Sequence, residues 1–477
     1  MIKVFRLIYF LLFSVYLTAQ VPEFELIFGS EAIFYGEDIH EIQSEGYLVL
    51  SYYTISTTKI QLTKIDLNGE ILWQHDIIDG VGRSMVETAD GNYAIVGHFG
   101  SPENAEDLLI VKVDSNANII WTNTFGGSLE ELSYKIIETS DQGFCIAART
   151  SSWGAGGWDV LLLKVDSLGS SEWYATYGDE HVDKVYDLKE CSDNGFLLVG
   201  SHKTGTDESD TYMIRTDSIG DTLWTRKYNF VTRSWASAVE INESGFLLVG
   251  GLGQGLSGEA DILIIQTDHA GDILWTRTWD GSIPGTPRSD NAIDIRSLDN
   301  NSYIITGSTN GIQANSDLLL LKVDQFGDEI WHSVYGNGEN REVGRVAKPT
   351  YDGGIIAVGL SEYNVYVVKT EDQEAVSIVP SDILSPLHCI IGCFPNPFNP
   401  TTTISYALPE QTTVKLTIFD IQGKEVWTLQ DASKPPGLYE VQWNGKNDSG
   451  ISVSTGVYFC RLQTGSFSQT IKMVYLR

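Results

Sequence analysis

The chain has 477 residues, enough for more than one domain, with 46 glycines, 11% aromatic residues and a formal net charge of -32. So acidic a surface repels nucleic-acid phosphates and anionic lipid, which argues against nucleic-acid and peripheral-membrane roles. The five cysteines form no CxxC or CxxCH motif, which disfavours a zinc ribbon or an attached c-type haem.

The first residues have the layout of a secretory signal peptide. Two basic residues precede an apolar stretch from Leu7 to Leu17, and a small residue, Ala19, follows it. This stretch is too short to span a bilayer comfortably, and the sequence contains no run of about 18 apolar residues. We therefore predict a signal peptide over residues 1–19, cleaved between Ala19 and Gln20 or one residue later, and no transmembrane span in the mature chain.

Residues 20–371 consist of repeats of about 50 residues. Each has an apolar run that ends in a Lys-Val-Asp-type sequence, a Gly turn and a run led by a tryptophan: Trp73, Trp121, Trp173, Trp224, Trp275 and Trp331. Four short runs per repeat, rich in apolar and aromatic residues and bounded by turn residues, predict four strands. No segment with helical periodicity separates them, which excludes parallel βαβ folds. A four-stranded unit of this size is typical of a propeller blade.

The two ends of the repeat array predict a closed ring. A strand equivalent to the Trp-led strand opens the array at Phe24–Gly29, and the last Lys-type strand, Val365–Lys369, has no Trp-led strand after it. The first strand would therefore complete the last blade and cover its open edge. We predict an all-β fold, a seven-bladed β-propeller closed by its N-terminal strand.

Several repeated residues have an architectural interpretation. The Asp-x-x-Gly before each tryptophan predicts a tight turn capped by Asp, with Gly at positive φ. The tryptophans resemble those of the tryptophan-docking repeats of quinoprotein-type propellers, although seven blades and the lack of a vicinal Cys pair depart from that pattern. More closely, the array resembles repeats of exported Gram-negative proteins. That resemblance implies that each Trp packs between blades.

Two sets of repeated acidic residues have both structural and functional interpretations. The first begins the apolar run and predicts hydrogen bonds to neighbouring backbone, with a metal array as the alternative: Asp107, Asp159, Asp210, Asp261 and Asp317. The second is expected at one position near the end of the inner strand, where an acidic ring at a channel mouth is the functional alternative: Glu41, Glu87, Glu138, Glu190 and Glu240, replaced by Ser297 and Lys348.

Loops of variable length share one predicted face of the ring, and such loops on a rigid scaffold often carry binding sites. Aromatic and arginine side chains there suit a glycan or a peptide. The candidate ligand-binding residues are Trp153, Trp158, His181, Arg233, Trp235, Arg288, Asp290, Arg341 and Arg345. Ordinary loop decoration is the alternative for any single one.

No catalytic motif occurs in the sequence. GxSxG, HExxH, Walker A and EF-hand patterns are all missing, and the eight histidines are scattered. We therefore predict no catalytic residues, no cofactor and no metal site.

The C-terminal segment differs from the repeats. Residues 372–392 have the composition of a linker, and 393–477 alternate between short strands and turns, which predicts a small Ig-like β-sandwich. The segment from Phe394 to Arg477 contains PNPFNPTTTISY, GLYEVQWNG, a GVYF hairpin and a basic-apolar tail. These motifs resemble the type A C-terminal sorting domain of the type IX secretion system.

That resemblance implies Sec export, passage through the outer membrane by the type IX machinery, and a cell-surface or extracellular location. We therefore expect a binding or scaffold propeller whose ligand is a glycan or a protein. The alternative is a secreted enzyme, either a polysaccharide-active hydrolase or lyase or a quinoprotein-like dehydrogenase. A binding module would present exposed aromatic residues in a shallow groove, whereas an enzyme would present converging carboxylates or histidines with perturbed pKa values in a central pocket.

Overall fold

The computed structural model describes two compact units, one within Met1–Gln373 and one within Glu374–Arg477. The described residues are 22–29, 32–101, 104–203, 208–230, 233–253, 260–281, 289–298, 301–310, 316–336, 340–371, 391–394, 398, 400–408, 412–421, 423–435, 437–448, 450–464 and 467–475. Every regular element in these ranges is a β-strand. None of the described residues forms a helix that could cross a membrane.

The first unit contains seven four-stranded antiparallel sheets. Its strands in chain order are β1 Pro22–Phe28, β2 Ile33–Ile42, β3 Gly46–Thr54, β4 Thr58–Ile65, β5 Ile71–Asp79, β6 Val81–Glu87, β7 Tyr93–Ser101, β8 Asn104–Val113, β9 Ile119–Phe125, β10 Glu131–Glu138, β11 Phe144–Thr150, β12 Asp159–Val165, β13 Ser171–Tyr177, β14 Asp183–Glu190, β15 Phe196–Lys203, β16 Ser209–Thr216, β17 Thr222–Tyr228, β18 Arg233–Asn242, β19 Gly245–Gly253, β20 Ala260–Thr267, β21 Ile273–Trp279, β22 Asp290–Leu298, β23 Ser302–Thr309, β24 Asp317–Val323, β25 Glu329–Tyr335, β26 Glu342–Pro349, β27 Ile355–Ser361 and β28 Asn364–Thr370.

Six blades are formed by four consecutive strands each, starting with β2-β3-β4-β5 and ending with β22-β23-β24-β25. The seventh has the order β26-β27-β28-β1, so the first strand of the chain is the outer strand of the last blade. β1 runs antiparallel to β28, with Glu25 opposite Val368. The predicted seven-bladed propeller closed by its N-terminal strand is confirmed.

The core lies between neighbouring blades, where buried apolar side chains of two sheets interdigitate. The repeated tryptophans lie at the outer edge of these interfaces. A Cβ atom added to Gly169 would lie 2.6 Å from the Trp121 ring of the preceding blade, and one added to Gly220 would lie 2.7 Å from Trp173. Each glycine therefore gives room to a tryptophan from the preceding blade, as the repeat predicts.

The Asp-x-x-Gly turns have the predicted geometry. Oδ1 of Asp166 accepts hydrogen bonds from the backbone N–H groups of Leu168 at 2.9 Å and Ser170 at 2.8 Å. Gly169 has a φ of +79°, and Gly220 one of +87°. In blade 2 the same position is occupied by Ala117, with a φ of +66°. The turn accepts a side chain there at the cost of the left-handed conformation.

The expected alignment of Glu240 and Lys348 with the other inner-strand glutamates is wrong. Glu41, Glu138 and Glu190 lie opposite an aromatic residue at the start of the second strand. In blade 5 this position is Ile241, and Glu240 lies opposite Leu247; in blade 7 it is Pro349, and Lys348 lies opposite Ile356. The turn of blade 5 is one residue shorter, because Ile241 pairs with Phe246 while Glu138 pairs with Phe144. One residue of offset turns a side chain to the opposite face of the strand.

Three of the glutamates that share this position connect neighbouring blades. Oε2 of Glu138 accepts a hydrogen bond from Ala89 N at 2.9 Å, and Oε2 of Glu190 accepts one from Ser140 N at 2.9 Å. Oε2 of Glu41 accepts one from Tyr351 N at 2.7 Å, which joins blade 1 to blade 7. These carboxylates cap the turn of the preceding blade, so their role is structural.

The second unit contains one three-stranded and one four-stranded antiparallel sheet, with strand orders β29-β30-β33 and β32-β31-β34-β35. The strands are β29 Ile391–Phe394, β30 Thr402–Leu408, β31 Thr412–Asp420, β32 Glu425–Lys434, β33 Gly437–Trp443, β34 Gly456–Thr464 and β35 Phe467–Tyr475. Its core includes Phe398, Trp443 and Tyr475, all nearly inaccessible to solvent. The predicted Ig-like sandwich is confirmed.

Candidate functional site

The inner strands line the propeller channel, because each one packs beside the inner strands of both neighbouring blades. They all begin on the face that carries the long connections. The backbone shows this at the junction of blades 3 and 4, where Asp183 N, at the start of β14, donates to Trp158 O in the β11–β12 loop at 2.7 Å. The start of the inner strands therefore forms the mouth of the channel on the loop-rich face.

Every inner strand contains a β-bulge close to this mouth. One residue is skipped in the pairing with the second strand, and these residues are Glu37, Arg83, Tyr134, Tyr186, Ser237, Ile293 and Arg345. A bulge bends the strand and redirects side chains, and bulges are common at barrel rims and functional sites. Here the bulge positions carry aromatic and charged residues where the blades differ most from one another.

Blades 3 to 5 place three cations at the mouth, and two of them, Arg149 and Arg233, lie against aromatic rings. The guanidinium of Arg149 lies 4.2 Å from the ring centre of Trp158 and 6.0 Å from that of Tyr134. The guanidinium of Arg233 lies 5.5 Å from the ring centre of Trp235. Stacking of this kind uses the face of the guanidinium and leaves its N–H edge available for an anion.

The three cations of this group are Arg149, Lys184 and Arg233. Burial lowers the pKa of the Lys184 ammonium, and repulsion from Arg149 and Arg233 lowers it further. Within the described ranges no carboxylate oxygen lies within 4.0 Å of the cationic nitrogens of the three. The buried Nε of Arg149 has no hydrogen-bond partner. We call Arg149, Lys184 and Arg233, with the rings of Tyr134, Trp158 and Trp235, the mouth cluster.

The other side of the mouth has its cations paired. Glu37 accepts a hydrogen bond from Arg83 at 2.9 Å, and its other oxygen lies 3.8 Å from Nε of Arg345. The guanidinium of Arg83 also lies 5.4 Å from the ring centre of Tyr52. This carboxylate neutralises part of the positive charge in blades 7, 1 and 2, whereas the mouth cluster has no such carboxylate among the described residues.

The channel interior contains a second group of charges, and these pair with one another. Nζ of Lys348 lies 2.8 Å from Oδ1 of Asp38 and 2.7 Å from Nε2 of His40. Burial lowers the pKa of Lys348 to about 8 and, together with the Lys348 ammonium, that of His40 to about 3. Burial alone would raise the pKa of Asp38, but the Lys348 ammonium holds it well below its usual range.

The remaining interior charges form similar pairs. Lys189 lies 2.7 Å from Glu240, Arg296 lies 2.9 Å from Asp294, and Lys135 lies 3.7 Å from Asp187. Oδ2 of Asp38 also accepts a hydrogen bond from Met85 N, and Oδ2 of Asp187 one from Val239 N, each in the next blade. Four carboxylates therefore match four cations, and the interior network is a neutral connection between blades.

A cavity in the channel adjoins these charges, and a separate cleft lies among the loops. A cavity of about 400 Å³ in the channel is lined by Asp38, His40, Lys135, Arg296 and Lys348. A cleft of about 870 Å³ on the loop-rich face is lined by loops of blades 1 to 3. The perturbed carboxylate, histidine and lysine of the first cavity are what a central enzyme pocket would show, but their partners are each other.

The candidate ligand-binding residues predicted in the loops do not form one site. Trp158, Arg233 and Trp235 meet in the mouth cluster, and Arg345 lies at the same mouth beside Glu37. Trp153 packs at the outer rim, with its ring 5.3 Å from Phe125 and 5.1 Å from Tyr174.

The other predicted residues lie away from the mouth cluster or outside the residues that the structure describes. Asp290 is fully buried, and its Oδ2 accepts a hydrogen bond from Gly281 N at 2.8 Å. Arg341 is exposed, and its carbonyl accepts a hydrogen bond from Glu362 N. His181 is exposed beside Asp179. Arg288, Ala19 and Gln20 lie outside the described residues.

Loop reasoning missed the strand residues of the site: Tyr134, Arg149 and Lys184. All three are in β10, β11 and β14, where the sequence predicts only architecture. The available signal is that aligned repeats disagree at the bulge, with Glu37, Arg83 and Tyr134 at equivalent positions.

The C-terminal unit matches the FlgD Ig-like domain family over residues 398–466. No curated protein sequence matches the chain. Similar solved structures include PorZ, an essential bacterial surface component of the type IX secretion system of Porphyromonas gingivalis, at 10% identity and a TM-score of 0.42, over 92% of this chain and 59% of that one. This chain thus spans 59% of the length of the PorZ chain.

Two further structures are similar over the propeller. The β-propeller domain of the Trilobed protease from Pyrococcus furiosus matches at 9% identity with a TM-score of 0.40, over 74% of this chain and 99% of that one. Sqt1 from Chaetomium thermophilum matches at 10% identity with a TM-score of 0.43, over 73% and 100% of the respective chains. Likenesses at this level carry no functional argument.

Proposed function

We propose that this chain is an exported binding protein whose propeller holds an acidic glycan at the mouth cluster. Residues 1–19 would be a signal peptide, 20–371 the propeller, 372–392 a linker and 393–477 a type IX sorting domain. The protein would then work at the cell surface or in the medium.

The export proposal rests on the motif string between Phe394 and Arg477. An Ig-like fold alone accounts for alternating strands, but not for the PNPFNP opening or the basic-apolar tail. Those residues resemble a signal that the type IX machinery recognises. The sorting domain would therefore be the contact with that machinery, and the propeller its cargo.

Export is tested by expressing the chain without Phe394–Arg477 in a bacterium that has type IX secretion. We expect the truncated propeller to be retained in the periplasm, while the full chain reaches the cell surface or the medium. A reporter protein carrying residues 1–19 at its N-terminus and residues 372–477 at its C-terminus should be exported as well. Surface delivery of the truncated chain would disprove the sorting role.

The binding proposal rests on one observation: in a chain with a net charge of -32, the three cations of the mouth cluster have no carboxylate partner among the residues that the structure describes. Like charges that repel one another without carboxylate partners are stabilised by an anion placed between them. The flat rings beside them offer apolar faces for the faces of sugar rings. A carboxylated polysaccharide supplies both features at every residue of its chain.

The test is binding of an oligogalacturonate to the mature chain by titration calorimetry. We expect the Arg149→Ala/Arg233→Ala variant to weaken binding by about 100- to 10,000-fold, because each of the two lost hydrogen bonds to a charged group contributes about 1.5–3 kcal/mol. Arg226→Ala/Arg277→Ala is the matched control, since Arg226 lies 5.2 Å from the ring centre of Trp224 and Arg277 lies 5.4 Å from that of Trp275, both in outer strands. It removes an equal charge and an equal stacking contact away from the mouth.

Three further measurements separate the alternatives. A neutral oligoglucose of equal length should not bind, and added salt should weaken oligogalacturonate binding. Preferential binding of polyglutamate would favour a peptide ligand and overturn the glycan proposal. Shortening of the oligogalacturonate during incubation would favour the enzyme alternative.

A further inference from the structure

A group of metal-ligand side chains lies on the loop-rich face at the junction of blades 3 and 4. Asp179 and His181 are in the connection between β13 and β14, and His202 is near the end of β15. One ligand atom of each of the three lies within 4.8 Å of the others. This group is separate from the mouth cluster, and the inference does not depend on glycan binding.

The buried histidine of the group is held in the orientation of a ligand. His202 is 5% exposed, and its Nδ1 lies 2.7 Å from Oδ1 of Asp183, which is fully buried. A carboxylate on one ring nitrogen fixes the tautomer, so that Nδ1 carries the proton and Nε2 keeps its lone pair. Nε2 faces Asp179, with 3.7 Å between Nε2 and Oδ2. Carboxylate–histidine pairs of this kind support metal ligands in many proteins.

The other two ligand groups are exposed enough to adjust. Nδ1 of His181 lies 2.8 Å from Oδ1 of Asp179, and the His181 and Asp179 side chains are 45% and 43% exposed. The ring centres of His181 and His202 are 5.5 Å apart. Small rotations of the exposed side chains bring two imidazole nitrogens and one carboxylate oxygen around a single point.

A cation from the chain itself already lies at this point. Nζ of Lys227 is 3.1 Å from Oδ2 of Asp179 and 3.1 Å from Nε2 of His202. The ammonium therefore donates to the same two atoms that a metal ion would use. It also competes with any such ion, because the two charges repel.

We propose that Asp179, His181 and His202 bind a divalent transition-metal ion, with Asp183 positioning His202 and Lys227 withdrawing when the ion enters. Two imidazoles and one carboxylate suit Zn²⁺, which is bound with three protein ligands and one open position in many sites. Ca²⁺ and Mg²⁺ prefer oxygen ligands and do not fit this set.

The test is equilibrium dialysis of the mature full chain against Zn²⁺, with excess Ca²⁺ present to occupy carboxylate-only groups. We expect one Zn²⁺ per chain. His181→Ala changes an exposed ligand and His202→Gln a buried one, and each should weaken binding about 100-fold or more. Asp183→Asn should weaken it about 10- to 100-fold, because it removes the group that orients His202.

Lys227→Met gives the opposite expectation. Removal of the competing ammonium should tighten Zn²⁺ binding about tenfold or more. His75→Ala is the control, since His75 is an exposed histidine of blade 1 that stacks on Trp73. It should leave binding unchanged.

Thermal unfolding supplies a second readout. Bound Zn²⁺ should raise the melting temperature of the unmodified chain, because a ligand that binds only the folded state stabilises it. The rise should vanish in His181→Ala, whose melting temperature without Zn²⁺ should equal that of the unmodified chain. A chain that binds no Zn²⁺, or binds it equally well after His181→Ala and His202→Gln, would overturn the proposal.

Discussion

At the scale of single residues, the buried ion pair between Lys348 and Asp38 illustrates how the channel interior is held together. The pair joins blade 7 to blade 1. We expect Lys348→Met to lower the free energy of unfolding by about 3–5 kcal/mol, because it leaves a buried carboxylate without its cation. Asp38→Asn/Lys348→Met should recover part of this loss, since neither charge is then unpaired.

Urea unfolding of the three proteins measures both effects. Lys59→Met is the control, because it breaks the exposed pair with Asp79 and should change stability little. A double variant less stable than Lys348→Met would contradict the account of a charge left unpaired.

The buried imidazole of His98 predicts how stability depends on pH. Burial and the nearby guanidinium groups of Arg83 and Arg149 lower its pKa from the ordinary value of 6.5 to about 3. Between these values the unfolded chain binds more protons than the folded one, so stability is complete above about pH 6.5 and falls as the pH falls. One such histidine contributes a slope of up to about 1.4 kcal/mol per pH unit.

The measurement is urea unfolding at several pH values between about 6.5 and 5, above the range in which most carboxylates titrate. His98→Gln should reduce the slope by about 1 kcal/mol per pH unit. Ser133→Ala should keep the slope, because it removes the hydrogen-bond partner 3.2 Å from Nδ1 but leaves the imidazole. Equal slopes for His98→Gln and the unmodified chain would contradict the assignment.

At the scale of elements, the tryptophan and the Asp-x-x-Gly turn form one interlocking unit between blades. Gly220 has a φ of +87°, and an added Cβ would lie 2.7 Å from the Trp173 ring. Gly91 has a φ of +76°, with nothing within 4 Å of an added Cβ. Substitutions at these two positions therefore distinguish the cost of left-handed backbone strain from the cost of a clash with the Trp173 ring.

We expect Gly91→Ala to cost about 1 kcal/mol, because it adds only left-handed strain. Gly220→Ala should cost about 2–4 kcal/mol, because it also displaces the Trp173 ring. Urea unfolding measures both variants. Equal costs would show that the tryptophan adapts without loss and that its contact with the turn contributes little.

Blade number, strand number and turn chemistry could be predicted from the sequence because they depend on local patterns. An apolar run followed by Asp-x-x-Gly and Trp specifies a strand, a turn and a strand wherever it occurs. The position of Glu240 could not be predicted from the sequence, because a turn shorter by one residue changes which face of the strand a side chain occupies. The roles of Arg149 and Lys184 could not be predicted for a related reason. The β-bulges near the channel mouth have no recognisable sequence pattern within a single repeat.

At the scale of the whole molecule, charge is distributed by region. The interior channel charges balance, and the mouth cluster has a local excess of cations in a chain with a net charge of -32. The acidic remainder repels other acidic chains, so the mouth is where an anion can approach closely. Neither the sum nor the order of charges along the sequence reveals this, because the cluster comes from three blades.

Ring closure by β1 is the property that only the complete propeller has. Antiparallel pairing joins Glu25 to Val368, Nζ of Lys369 lies 3.2 Å from Oε2 of Glu23, and the Phe24 ring lies 2.7 Å from a Cβ added to Gly69 of blade 1. β1 thus contacts both the last blade and the first. Without it, β28 becomes an unpaired edge and the interface between blades 7 and 1 loses its outer layer.

We therefore expect a chain that begins at Gly29 to melt at a lower temperature than one that begins at Gln20. A synthetic peptide of residues 20–29, added in excess, should restore much of the difference, because it can pair with β28 as β1 does. A peptide of the same composition in scrambled order is the control and should restore none of it. If the shortened chain melts at the same temperature as the longer one, the blades hold the ring closed without β1, and pairing across the junction adds nothing to its stability.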